Sequence, residues 1–177
     1  GERAIPFTET LYIDAGDYEI EPPTGYKRLS PEKNEIRLRN TYVLAVTEHI
    51  TDDKGQVVEL KATIDPATLG NNPEGRKVKG VIHWVSASQG IAATVRLYEP
   101  LFSVEDPSSA EDVHEVLNPH SLTILSAVVE PSLVEADAGT RFQFEREGYF
   151  ISDAIEHSNE QPVFNQIVSL RDSYKPA

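Results

Sequence analysis

Cysteine is missing altogether from the 177 residues. That excludes a disulfide framework and any thiolate-bound metal, and it fits a reducing compartment. Aromatics are few, at 8%, and the single tryptophan, Trp84, sits inside the apolar run VIHWV. The sequence therefore offers no exposed aromatic platform of the kind expected of a β module that binds protein or carbohydrate. No apolar run approaches the roughly 20 residues of a membrane helix. The opening GERAIPFTET carries neither the basic nor the apolar region of a signal peptide. A cytoplasmic location without a membrane partner is the expectation. Basic residues are also in deficit, with 16 Lys and Arg against 29 Asp and Glu and a net charge of -13. Such a balance opposes nonspecific nucleic-acid binding, which depends on a basic surface.

Chemistry-bearing patterns are equally sparse. There is no G-x-S-x-G elbow, phosphate-cradling glycine loop or dinucleotide fingerprint. The five histidines, His49, His83, His114, His120 and His157, show no metal-ligand spacing. The pair His114 and His120 straddles a segment end and a proline, a poor arrangement for two ligands. Carboxylate pairs such as Asp52–Asp53 and Glu111–Asp112 suit turns and helix starts. No catalytic residue and no metal ligand is assigned.

What is present is ordinary globular composition, 39% hydrophobic and 25% charged, in a chain long enough for its own core. The periodicity is that of strands. ETLYIDAG, IRLRNTYVLAVTEHI, QVVELKATID, KVKGVIHWVSAS, IAATVRLYEPLFSV, SLTILSAVVE, RFQFEREGYFIS and VFNQIVSLRDSY all read as β-runs. TDDKG between the second and third fits a hairpin turn, and GNNPEGR reads as a loop. One helix is predicted in DPSSAEDVHEVLNP, where Ser108 and Glu111 form a capping-box pattern and Val113, Val116 and Leu117 share a face. PSLVEADAG suggests at most one helical turn. Many short strands with little helix predict an all-β chain of barrels or sandwiches.

The scarce positive charge is concentrated. Lys27, Arg28, Lys33, Arg37 and Arg39 fall within 13 positions, and Arg76, Lys77 and Lys79 within four. In EIRLRN the two-residue period sends Ile36 and Leu38 one way and Arg37 and Arg39 the other, with Asn40 beside them. YKRL puts Lys27 and Arg28 near a strand start. RFQFERE turns Phe142 and Phe144 inward and Gln143 and Glu145 outward, followed by Arg146. Guanidinium forks, amides and a carboxylate are the groups that read the edges of splayed single-stranded bases.

YKRL, EIRLRNTYV, GRKVKGVIHWVSA, VRLYEPLFSV, RFQFEREGYF and PVFNQIVSLRDSY together resemble the C-terminal anticodon-binding region of bacterial glutaminyl-tRNA synthetases, in order and over essentially the whole chain. The resemblance implies two six-stranded β-barrels, akin to a ribosomal-protein barrel, with one or two short helices. It implies a distal barrel over 15–100 and a proximal barrel from 1–14 with 101–177. Arg37 and Arg39, with Asn40 beside them, would contact the first anticodon base. Gln143, with Glu145 and Arg146, would address the central uracil, and Lys27 and Arg28 the final guanine. Where the family often has glutamine before YKR, this chain has Gly25. The implied partner is the anticodon loop of glutamine tRNA, bound by a monomer covalently joined to a catalytic domain. ATP and Mg2+ would belong to that domain, with no cofactor in this chain. The alternatives are the anticodon domain of a eukaryotic- or archaeal-type glutamyl-tRNA synthetase and a non-enzymatic β-barrel interaction module.

Overall fold

The computed structural model describes residues 3–170. The chain divides into two compact units, one formed by Thr8–Ala87 and the other by the described residues on either side of it.

In the Thr8–Ala87 unit, β1 (Leu11–Tyr12), β2 (Glu35–Leu38), β3 (Val43–Thr51), β4 (Val57–Asp65), β5 (Val81–Ile82) and β6 (Val85–Ser86) are the strands. Four of them form a sheet in the order β4-β3-β2-β5, and β1 pairs with β6 as a separate ribbon. The β3–β4 hairpin turns through TDDKG as its composition predicts. Asp52 Oδ1 accepts the Lys54 and Gln56 N–H groups at 2.9 and 2.8 Å, an Asx turn built by a short acceptor side chain. Alternation on β2 buries Ile36 and Leu38 completely. They lie with Leu29, Val43, Val46, Ile82, Trp84 and Val85 in the buried apolar interior.

The other unit contains β7 (Ile91–Tyr98), β8 (Leu122–Val129), β9 (Arg141–Phe144), β10 (Gly148–Ser152) and β11 (Val163–Ser169). They form one sheet in the order β8-β7-β11-β10-β9, with β11 parallel to β7. Its core is Ala93, Val95, Val129, Phe150 and Phe164, with Phe142 and Phe144 packed against it. Phe144 stacks on Phe150 at 4.4 Å between ring centroids, and Phe142 meets Phe164 edge-on at 5.7 Å. The inward aromatic alternation of RFQF is thus what holds β9 to the sheet.

The all-β class is as predicted, and three finer expectations change. The sheets hold five, four and two strands and are open among the described residues, rather than forming six-stranded barrels. KVKGVIHWVSAS shows one cause. It breaks at His83–Trp84 into two two-residue strands, because the Trp84 indole turns inward and its N–H donates to the Arg39 carbonyl at 2.9 Å. The helix predicted in DPSSAEDVHEVLNP is two 3-10 turns, Pro107–Ser109 and Val113–Val116. Asp106 and Asp112 cap them, accepting from the Ser108 and His114 N–H groups, and Ala110 is extended between them. Ser and Asp side chains compete here for backbone groups. With Val113 and Leu117 43% and 39% exposed, there is no buried face to offset the cost of helix nucleation.

The junctions also move relative to the expected 15–100. Strand β1 pairs with β6 through Leu11↔Ser86 and Tyr12↔Val85, which ties it to the Thr8–Ala87 unit. Strand β7 pairs with β8 and β11, which places it in the other. Arg3 also belongs there, its guanidinium donating to both carboxylate oxygens of the buried Glu130 at 2.6 and 3.1 Å. The end of the last predicted β-run, 171–174, lies outside the described residues.

Candidate nucleic-acid interface

Within the Thr8–Ala87 unit, the alternation predicted for EIRLRN is present, but the two arginines differ in employment. Arg37 Nη1 donates to the carbonyls of Thr41 and Thr68 at 2.8 and 2.9 Å, and Nη2 donates to the Asn71 carbonyl at 2.5 Å. The guanidinium therefore ties the β2–β3 turn to the loop that follows β4. Thr68 is completely buried and reinforces the tie, accepting the Val43 N–H at 2.8 Å and donating to the Asp65 carbonyl at 2.6 Å. Farther along the outward side of β2, Arg76 bridges Glu35 at 3.0 Å and Asp65 at 2.8 Å. These two carboxylates raise the Arg76 pKa, the hydrogen bond to Asp65 most. Residues 65–76 thus contact both outward side chains of β2, Glu35 and Arg37.

Arg39 lies past the end of β2, in the turn that Thr41 N–H closes on the Leu38 carbonyl at 3.1 Å. Arg39 and Asn40 are exposed. Asn40 has a left-handed φ of 58°, a conformation asparagine tolerates better than most residues. Its amide is displayed at the tip of the turn.

Lys27 and Arg28 also part ways. Arg28 Nε contacts the completely buried Asp17 at 3.2 Å, and Nη1 donates to the Gly16 carbonyl at 3.0 Å. The Tyr26 hydroxyl donates to the same carbonyl at 2.9 Å. Arg28 is thus a partner of the Ala15–Asp17 turn, whereas the Lys27 side chain is exposed. Just before them, Tyr26 N–H donates to the Pro23 carbonyl at 3.0 Å, and Gly25 has φ +85°. This is a turn whose third residue must be left-handed, a position that glycine occupies without steric cost. The departure from the family's glutamine therefore has a local backbone reason.

In the other unit, Gln143 is exposed on β9 opposite Tyr149 of β10. β9 ends at Phe144, so Glu145 and Arg146 lie in the tight turn closed by Glu147 N–H on the Phe144 carbonyl at 3.0 Å. Arg146 takes a left-handed φ of 69°, and both residues are partly buried. The outward placement predicted for Glu145 as a strand residue is replaced by a turn position.

The sequence residues fall, then, into two sets. Lys27, Arg39, Asn40 and Gln143 are exposed residues. Arg28 and Arg37 use theirs largely on the fold. Two cations without a role in the sequence reading, Lys33 and Lys79, lie on neighbouring segments, since the Lys33 ammonium contacts the Lys27 carbonyl against which Gly80 runs; the only sequence signal for them was local charge density.

Two family models match, both described as tRNA synthetases class I (E and Q), anti-codon binding domain, over residues 1–65 and 81–153. The chain belongs to this family of anticodon-binding domains. Curated relatives are similar along nearly all of it. A glutamine–tRNA ligase of Pseudomonas syringae pv. tomato is 52% identical over 98% of this chain and 31% of its own length. One of Neisseria meningitidis serogroup A is 48% identical over 99% of this chain and 32% of its own. One of Stutzerimonas stutzeri is 50% identical over 98% and 32%. The chain spans less than a third of the length of these relatives.

Proposed function

We propose that this chain grips the anticodon loop of glutamine tRNA, so that the longer protein carrying it attaches glutamine to that tRNA in the cytoplasm, acting as a monomer. The observation that supports this most is identity of 48–52% to glutamine–tRNA ligases along 98–99% of the chain. ATP and Mg2+ are used by the remainder of that protein. Arg39 and Asn40 address the first anticodon base from the β2–β3 turn. Lys27 addresses the final guanine, whose major-groove edge carries acceptors that suit a cation. Gln143 addresses the central uracil, because an amide supplies both the donor and the acceptor that the uracil edge requires. Glu145 and Arg146 shape the turn beside it. Arg28 and Arg37 hold their loops in register and support the readers mainly through the backbone.

The test is a binding comparison of glutamine and glutamate tRNAs by the full-length protein. Preferential binding of glutamine tRNA, lost when its anticodon is changed, is the expected result. Preference for glutamate tRNA favours a glutamyl-tRNA synthetase domain, and failure to bind either tRNA favours an interaction module.

A further inference from the structure

Four lysines lie along two neighbouring segments of the Thr8–Ala87 unit, in a chain whose net charge is -13. Lys27 and Lys33 flank the turn 28–32, and Lys77 and Lys79 lead into β5. The Lys33 backbone is fixed by reciprocal bonds with Ser30, 3.0 and 3.1 Å long, and by a further bond from its N–H to the Ser30 hydroxyl at 3.1 Å. The Lys33 ammonium donates to the Lys27 carbonyl. Gly80 runs against that same carbonyl, so closely that a Cβ on it would stand 3.3 Å away. Lys79, the residue before Gly80, is thereby carried to the neighbourhood of the Lys27–Lys33 contact. Burial, and then the positive charge of Lys79, hold the Lys33 pKa below the usual lysine value. Among the described residues no carboxylate pairs with either lysine. Glu35, on the adjacent strand, is taken by Arg76. Among the described residues Glu32 forms no ion pair, and neither Lys27, Lys33 nor Lys79 has an acidic partner.

Like charges brought together without a counter-ion on a rigid backbone favour an anion in the space they share. We propose that Lys33 and Lys79 hold one backbone phosphate of the bound RNA, an anchor that positions the strand without reading sequence. This rests on the tRNA-binding function proposed above. The Lys33 ammonium docks on the Lys27 carbonyl, so the anchor lies next to the residue that addresses the final guanine.

The test uses the full-length protein, glutamine tRNA and a salt series, with Lys33→Gln, Lys79→Gln and Lys79→Arg variants. Each glutamine variant should weaken binding about threefold to tenfold at moderate salt. Each should also lower the slope of log affinity against log salt by about 0.7, the single-strand value for one contact. The loss should be equal for tRNAs with altered anticodons, and Lys79→Arg should restore both affinity and slope. Lys79→Gln is decisive even if Lys33→Gln unfolds the turn, because Lys79 is exposed. Wild-type binding with Lys79→Gln unchanged in affinity and slope overturns the anchor and leaves the tRNA-binding function standing. A loss confined to one anticodon base also overturns it, by making Lys79 a reader. No wild-type binding removes the function itself.

Discussion

Arg37 and Arg39 show how far identity and spacing reach. A two-residue period sends both outward, Arg37 within β2 and Arg39 just past its end, but three carbonyls on other segments take up the Arg37 guanidinium. Lysine has one ammonium and cannot span those acceptors. Arg37→Lys should therefore lower unfolding free energy by about 1–3 kcal/mol, read as a reduced denaturant midpoint, and weaken tRNA binding without altering base preference. Arg39→Ala should do the reverse. It should cost about 1–3 kcal/mol of discrimination at the first anticodon base, measured with tRNAs varied there, and shift the midpoint less than Arg37→Lys does. If Arg37→Lys keeps full stability while losing discrimination, the two roles are exchanged. The sequence displayed both residues on one side. It could not display Thr68 and Asn71, which reach that side only through the loop after β4.

At the scale of elements, the β10–β11 ladder depends on Gly148. A Cβ there would lie 2.4 Å from the Val168 carbonyl oxygen and 3.2 Å from Ser169 Cα, both backbone atoms, beside the register shift at Tyr149/Phe150. Gly148→Ala should destabilise by more than about 2 kcal/mol and, in hydrogen exchange, deprotect β10 and β11 before the β3–β4 hairpin. Equal protection in both places would show that the strands can shift at no cost. The loop joining β10 to β11 carries the clearest pH dependence. Asp153 accepts the Glu156 N–H at 2.8 Å, the Asn165 amide at 2.7 Å and the Ile155 N–H at 2.9 Å. These bonds, that from Glu156 foremost, lower its pKa from 3.8 to about 2. A carboxyl whose folded pKa is depressed stabilises the fold above its unfolded value, and the contribution is lost as pH falls through the folded one. Stability should fall from pH 4 towards pH 2, and Asp153→Asn should flatten that limb in pH-dependent unfolding.

For the whole molecule, the salient number is length, since the chain matches relatives of which it spans 31–32%. It contains no phosphate-cradling loop and no dinucleotide fingerprint. Pyrophosphate exchange dependent on glutamine and ATP, assayed on this chain alone, should stay at background. Clear exchange above it would place chemistry inside these sheets. The charge balance also acts at this scale. The many acids should repel RNA wherever no specific contact is made, limiting nonspecific binding by like-charge repulsion. Neutralising acids remote from Lys27 and Arg39 should therefore raise affinity for unrelated RNA, as read by filter binding, with less effect on glutamine tRNA.

The strand class, the TDDKG hairpin, the inward phenylalanines of RFQF and the two clusters of positive charge were determined by the sequence itself. All of them rest on period, turn chemistry or local composition, which act over a few neighbouring residues. The 3-10 turns in place of a helix were only partly local, because the Asp and Ser side chains pointed to turns while the missing buried face depended on what packs nearby. The employment of the cations was decided by tertiary structure alone. Arg28 meets Asp17, and Arg37 meets Thr68 and Asn71, across 11, 31 and 34 positions of sequence. A guanidinium looks the same in a sequence whether it is to bind carbonyls or RNA. Only the folded chain fixes which acceptors lie within reach, and the groups it leaves facing solvent are those available to a partner.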